Sequence, residues 1–188
     1  MNNATSFIIG NGASQKYYHP QDGFVVVCNT NTSIAHDVCS VIDHQPIDYW
    51  ANNELPKTKL WLSPKAERAI QRHRIEIEYE CVHNTTIKYN NAQCVVLELL
   101  KRGFTTIHLY GCDTLWQEDM TSTQDVLIPR PQRDKTLYVA WRKLWQQVFE
   151  RNLQVDYYIH SPVNIDAINY GANVFYHQHL DLQEQSNK

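Results

Sequence analysis

The chain has 188 residues, 43% of them hydrophobic and 20% charged, with a formal net charge of −3. This size and composition suit one globular domain with a real core and exclude a disordered chain. The weak negative charge gives no argument for nucleic acid or an anionic membrane as partner. No run approaches the roughly 18 apolar residues of a membrane helix, and the start "MNNATSFIIG" lacks the basic and apolar regions of a signal peptide, so a cytoplasmic protein is expected.

In chain order, "SFIIG" reads as a first strand and "FVVVC" as a second. "DVCSVID", Asp37 to Asp43, reads as a third, and "KLWLS", Lys59 to Ser63, as a fourth. The first three are short and apolar, with β-branched residues, as strands buried on both faces are. Ser63 and Pro64 start a helix through "KAERAIQRHR", with Ser63 as N-cap and Pro64 in the first turn. "IEIEYE" alternates and fits an edge strand. "NNAQCVVLELLKRG" is a helix capped by Asn90 or Asn91 and closed by Gly103. "TTIHLYG" follows as a strand. The helix in "DKTLYVAWRKLWQQVFERN" has a stripe of Leu137, Trp141, Leu144, Trp145 and Val148, with Asn152 at its end. "QVDYYIHS" reads as the last strand and "NIDAINYG" as a last short helix. The alternation implies a Rossmann-like α/β fold, a mostly parallel sheet with helices on both faces, as a single domain over residues 1–188.

Residues 114–133 contain no convincing element, and loops longer than about 12–15 residues are usually functional or disordered. This segment leaves the sheet at a strand end and is expected to be a lid. Residues 183–188 are expected to fray. The five cysteines, Cys28, Cys39, Cys81, Cys94 and Cys112, include no C-x-x-C pair and are odd in number, which fits reduced, buried thiols. His177 and His179 have a spacing that puts two imidazoles on one side of a strand, without an evident third metal ligand.

Chemistry concentrates where strands end. In a parallel sheet, ligands bind beyond the carboxyl ends of the strands. The first strand ends in Gly10-Asn11-Gly12, followed by Ser14; the two glycines allow a tight turn and close approach of a phosphate or sugar to the main chain. Asn29 ends the second strand, Asp43 the third, and Gly111-Cys112-Asp113 follows "IHLY". Asn91 stands at a helix N-terminus on the same side. This convergence of amides and carboxylates suits hydrogen bonding to a sugar, ribose or base. No D-x-D pair is present, so the site is expected to work without a metal, Mg²⁺ included, and no resident cofactor is expected.

The segments "IIGNGAS", "VVVCN" and "YNNAQCVVLELLKRGFTTIHLYGCD" resemble the bacterial sialyltransferases of glycosyltransferase family 42 and the wider motility-associated glycosyltransferase-like proteins. "IHSPVNIDAINYG" is similar to the final strand, turn and helix of those families. The resemblance spans Ser6 to about Gly171. It implies binding of a CMP-sugar and transfer of its glycosyl group to an acceptor. Carried over by position, Gly10, Asn11, Gly12 and Ser14 match the donor-binding turn, with Ala13 in place of proline. Asn29 matches a second-strand asparagine, and Asp43 stands where asparagine is frequent. Lys88, Asn90, Asn91 and Ala92 fall on an Arg-x-Thr-Ser-Gly run, and Lys88 keeps the charge without the bidentate fork. Gly111 and Asp113 match directly, and Asp113 is a catalytic candidate.

The departures lie in the expected lid. Residues 114–133 contain no tyrosine to hold the donor phosphate and no histidine to act as base. Glu118, Asp119, Asp125, Arg130 and Arg133 are the charged groups there. Asp119, Asp125 or Asp134 is left as candidate base, and Arg130 and Arg133 as counter-charges for the leaving phosphate. The alternative is a catalytically inactive nucleotide-binding or assembly protein that keeps the fold. Trp141 and Trp145 are expected in the core. Trp116 either stacks on a ligand or packs the loop down, and Tyr17 and Tyr18 either line the pocket or anchor their loop. Eleven tyrosines and five tryptophans leave a homo-oligomer open.

Overall fold

Short apolar runs become the strands of one eight-stranded sheet in a computed structural model that describes residues 4–84, 88–118, 128, 136–165 and 168–180. In chain order the elements are β1 (Thr5–Ile9), β2 (Phe24–Cys28), β3 (Val38–Val41), α1 (Gln45–Trp50), β4 (Lys59–Leu62), α2 (Pro64–His73) and β5 (Tyr79–Cys81). They continue with α3 (Asn91–Lys101), β6 (Thr106–Tyr110), α4 (Leu137–Glu150), β7 (Asp156–Ser161) and β8 (Val174–Gln178). The sheet order is β5-β4-β3-β2-β1-β6-β7-β8, and every neighbouring pair is parallel. The expected Rossmann-like α/β fold is present.

The period of two in each strand sorts its side chains between two cores. On one face Ile8, Val26, Trp61, Ile107, Leu109, Tyr157 and Ile159 pack with Val95, Val96 and Leu99 of α3 and Trp145, Val148 and Phe149 of α4. On the other face Val25, Val27, Cys39, Val41, Leu60 and Leu62 pack with Ile47 and Trp50 of α1 and Ala66, Ala69 and Ile70 of α2. Of the stripe expected on α4, Trp145 and Val148 are buried, whereas Leu137, Trp141 and Leu144 are half-buried.

The helix ends follow their caps. Ser63 Oγ accepts from the Ala66 amide at 3.1 Å, with Pro64 in the first turn of α2. Asn90, not Asn91, caps α3: its side chain accepts from the Gln93 amide while Gln93 Oε1 accepts from the Asn90 amide, both at 2.9 Å. Gly103, at φ +83°, closes α3. Asn152 Nδ2 donates to the Val148 carbonyl at the end of α4, one residue past the cap position held by Arg151.

Four expectations change. Residues 45–50 form α1, a six-residue helix too short to show a hydrophobic period; only Pro46 in its first turn signals it. The edge strand in "IEIEYE" starts later, at Tyr79, and includes Cys81. The described residues of "NIDAINYG" form no helix: Ile165 and Tyr170 are buried as anchors, the Ile168 amide donates to the Ile165 carbonyl, and Asn169 Oδ1 accepts from the Gly171 amide. β7 is not the last strand, because β8 pairs with it in parallel along five residues. Of the expected lid, residues 114–118 and 128 are described; the tail expected to fray lies outside the described residues.

Candidate functional site

β1 and β6 are adjacent, yet the chain runs outward from β1 to β5 and then from β6 to β8 in the opposite sense. That makes the β1–β6 boundary the switch point, where an open parallel sheet leaves a crevice. The turns after these two strands interlock there. The Gly10 amide donates to the Tyr110 carbonyl at 2.7 Å and the Gly12 amide to the Gly111 carbonyl at 2.8 Å. A Cβ on Gly10 would stand 2.4 Å from the Gly111 oxygen, and one on Gly111 would stand 2.4 Å from the Gly10 oxygen. Gly111 also has φ +63°. Both glycines are required by backbone-on-backbone packing.

Asp113 locks the arrangement. Its carboxylate lies where a Gly12 side chain would be, 2.5 Å from the ideal Cβ position to Cγ. It accepts from the Ser14 amide at 3.2 Å, from Ser14 Oγ and from the Ala13 amide. Ser14 Oγ in turn accepts from the Gly111 amide at 2.9 Å. Burial raises the Asp113 pKa, opposed by the hydrogen bonds from Ser14 and Ala13. Asp113 and Ser14 are both buried and face each other, while Asn11, half-buried, forms the tip of the turn.

A second cluster adjoins the first. Asn29 ends β2 in a left-handed conformation, φ +56°, with its amide bound to the Ser40 carbonyl at 2.8 Å and its carbonyl accepting from Cys39 Sγ at 3.0 Å. Asparagine is among the few side chains that adopt this conformation readily. Asn91 Nδ2 donates to Asn29 Oδ1 at 3.0 Å and to the Ser40 carbonyl at 2.7 Å, and Ser40 Oγ donates to Asn91 Oδ1 at 2.6 Å. His83 Nε2 lies 2.8 Å from Ser40 Oγ. Asn31 Nδ2 donates to the Gly10 carbonyl at 3.3 Å and to Gln15 Oε1, tying the turn after β2 to the turn after β1.

The remaining candidates separate. Asp43 pairs with Lys65 of α2 at 2.9 Å. Lys88 is exposed on the approach to α3, and Asn90 is committed to its cap. Asp119, Arg130 and Arg133, with Asp125 and Asp134, lie outside the described residues. Trp116 packs against the core that α3 and α4 cover, half-buried. Tyr18 is buried between Phe7 and Tyr110, so it anchors its loop, and Tyr17 stacks on His179 at 4.8 Å. Ser40, His83 and Asn31 were not singled out from the sequence: Ser40 is one hydroxyl inside an apolar strand, and His83 carries no motif.

The face of β6, β7 and β8 opposite α3 and α4 carries a set of stacked rings. Phe7, His108, Tyr158 and Phe175 occupy one register row and stack in sequence at 4.9, 4.6 and 5.0 Å. In the next row His160 stacks on Tyr110 at 3.8 Å. His177 and His179 do fall on one side, both beside His160. His108 Nδ1 meets His160 Nε2 at 3.0 Å, and His160 Nδ1 meets His179 Nε2 at 2.8 Å. These imidazoles pair nitrogen to nitrogen in a chain and do not converge on a point. Among the described residues no group of three His, Cys, Asp or Glu side chains is placed to hold a metal ion.

Compared with solved structures, the chain matches the sialyltransferase CstII from Campylobacter jejuni, determined in complex with the substrate analogue CMP-3FNeuAc. The TM-score is 0.50 at 12% identity, covering 83% of this chain and 80% of that one. Its fold is similar to that of a sialyltransferase. A second structure of the sialyltransferase CST-II, in complex with a trisaccharide acceptor and CMP, matches with a TM-score of 0.47 at 12% identity, covering 82% of this chain and 80% of that one. No protein-family model and no curated protein matches the sequence. No helix among the described residues is long and apolar enough to cross a membrane.

Proposed function

We propose that this protein binds a nucleotide-sugar of the CMP type at the β1–β6 crevice and transfers the glycosyl group to an acceptor. The observation that carries the reading is the pair of interlocked glycine turns at the switch point, flanked by Asn11 and Asn29. The glycines let the two turns interlock at the crevice floor, and the asparagine amides beside them offer hydrogen bonds to a ribose or base. Similarity of fold to an enzyme whose structure holds a CMP-sugar analogue supports the choice of nucleotide.

In this reading Asp113 braces the turn and does not move protons. Its carboxylate is buried and occupied by Ser14 and Ala13, so an acceptor hydroxyl would compete with those donors. Asp119, Arg130 and Arg133 are proposed as the reactive groups of a lid over the crevice: Asp119 to take the acceptor proton, the arginines to offset charge on the departing phosphate. A lid would also exclude water and suppress donor hydrolysis.

Titration calorimetry with CMP, UDP and GDP separates the nucleotides, and CMP is expected to bind most tightly. Release of CMP from CMP-sugars, followed with candidate acceptors, tests transfer. Removing Arg130 or Arg133 is expected to lower turnover more than CMP affinity. The engagement of Asp113 favours one second reading, a protein that binds the nucleotide without turnover. It predicts CMP binding, no release of CMP from any donor, and no kinetic effect of the arginines. Absence of binding to all three nucleotides by folded protein would remove both readings.

A further inference from the structure

Asn29 lies at the crevice, but the groups behind it decide which of its amide atoms faces outward. The Ser40 backbone carbonyl accepts only, so the Asn91 side-chain atom 2.7 Å from it is the NH₂ group. The other end of that amide is therefore an oxygen, and it takes the single hydroxyl proton of Ser40 at 2.6 Å. With its proton spent, Ser40 Oγ accepts at its remaining contact, so His83 meets it with an Nε2–H at 2.8 Å. In the outward direction, the second proton of Asn91 Nδ2 goes to Asn29 at 3.0 Å, which fixes that atom as Oδ1. Asn29 is left presenting Nδ2. One backbone carbonyl sets the polarity of four side chains in a row.

Burial holds the row in that state. Ser40 is 0% exposed and His83 4%. Desolvation, with the nearby Lys101 charge adding to it, lowers the His83 pKa to about 3, so the ring is neutral. His83 Nδ1 is buried with no partner among the described residues, as expected for the unprotonated nitrogen of an Nε2–H tautomer.

We propose that His83, Ser40 and Asn91 are positioning residues that hold Asn29 as an obligate hydrogen-bond donor, so that the ligand group seated there is an oxygen or nitrogen acceptor with no proton to give. This rests on the nucleotide-binding reading above, and it names what that site demands of its ligand. None of the three positioning groups touches the ligand; they act by denying Asn29 the freedom to turn its amide.

Two measurements test it. The first uses no nucleotide. Nitrogen-15 spectra of the histidines are expected to show His83 as a neutral Nε2–H tautomer from pH 5.5 to 8; an Nδ1–H tautomer, or titration near pH 6.5, would overturn the relay. The second is CMP affinity by calorimetry. Asn29→Ala is expected to weaken binding about tenfold, and Asn29→Asp more than that, since it turns an acceptor toward an acceptor. Ser40→Ala is expected to cost several-fold alone and less than about twofold in the Asn29→Ala background, because it acts only through Asn29. Should Ser40→Ala fail to fold, His83→Leu takes its place, and His83→Gln, which restores a donor at the Nε2 position, recovers most of the loss. Losses that multiply fully in the double variant, or Asn29→Asp binding as well as the parent, would overturn the proposal. If the parent binds no nucleotide, the nucleotide reading falls, and the histidine spectra alone decide whether the relay exists.

Discussion

A methyl group added at Gly10 would meet the Gly111 carbonyl at 2.4 Å, and the atom in its way is backbone, which cannot rotate aside. Gly10→Ala is expected to destabilise the protein by about 1–3 kcal/mol through overpacking. Gly111→Ala adds the left-handed penalty of about 1–2 kcal/mol. Gly103 provides the contrast: it is left-handed too, at φ +83°, but nothing lies within 4 Å of its missing Cβ. Gly103→Ala is therefore expected to cost only the conformational term, about 1–2 kcal/mol. Urea unfolding of the three variants checks this, and a Gly111→Ala variant as stable as Gly103→Ala, which shares its left-handed backbone but not its close contact, would contradict the packing described. The position of these glycines was legible in the sequence, because a glycine after an apolar run marks a turn. Their reason was not. The sequence suggests room for a ligand, whereas Gly10 and Gly111 are also needed for each other. Asp113 is similar: a carboxylate at a strand end is visible as a letter, but its engagement by Ser14 depends on a partner far along the chain.

At the scale of elements, the imidazole chain on β6, β7 and β8 makes the protein sensitive to mild acid. Burial pushes His108 down to about 4 and His160 to about 3, with neighbouring imidazoles adding to the shift. His83 is held down in the same way. In the unfolded chain these rings titrate near 6.5. Between that value and their folded values the unfolded state binds more protons, so stability is full above about pH 6.5 and falls as the pH drops toward 4. Asp48 and Glu80 have lowered pKa values, so their contribution is present above the ordinary carboxylate range and is lost as the pH falls through and below it. Melting temperatures measured by circular dichroism are thus expected to fall between pH 6.5 and 4.5, and His160→Phe, which keeps the ring against Tyr110, is expected to flatten that fall. A flat profile in the parent protein would show that the rings are not buried neutral. The strands and the two long helices were readable because their apolar periods are strong. The ring face was not: His108 and His160 are single letters in separate strands until the register aligns them, and β8, "VFYHQ", alternates too weakly to stand out from a tail.

On the scale of the whole molecule, the sheet order decides which strand ends become neighbours, and with them the site. Its parallel character followed from alternating strands and helices; its order did not, because no local signal says that β6 lies beside β1. Two edges bound this sheet. At β5, a strand of three residues, Lys59 bridges Glu78 and Glu80, and Arg102 joins Glu80 to Glu98, an array of charge that discourages pairing with another chain. The other edge, β8, carries exposed Phe175.

The bonds between Ser14 and Asp113 join residues 99 positions apart. That separation has a consequence in time. A chain leaving the ribosome exposes β1 through β5 well before the residues that complete the crevice exist, and β1 waits with one apolar edge unpaired. Long-range parallel pairing of this kind is slow, since the intervening loop must close before any contact rewards it. Recovery after dilution from denaturant should accordingly occur in two stages: helical signal first, and, on the proposed function, competence to bind CMP later, paced by the docking of β6 against β1. Mixing experiments that follow ellipticity and ligand binding in parallel would reveal the interval, and simultaneous recovery would mean that β1 and β6 meet early. Until they meet, the unpaired edge of β1 is open to pairing with any other strand.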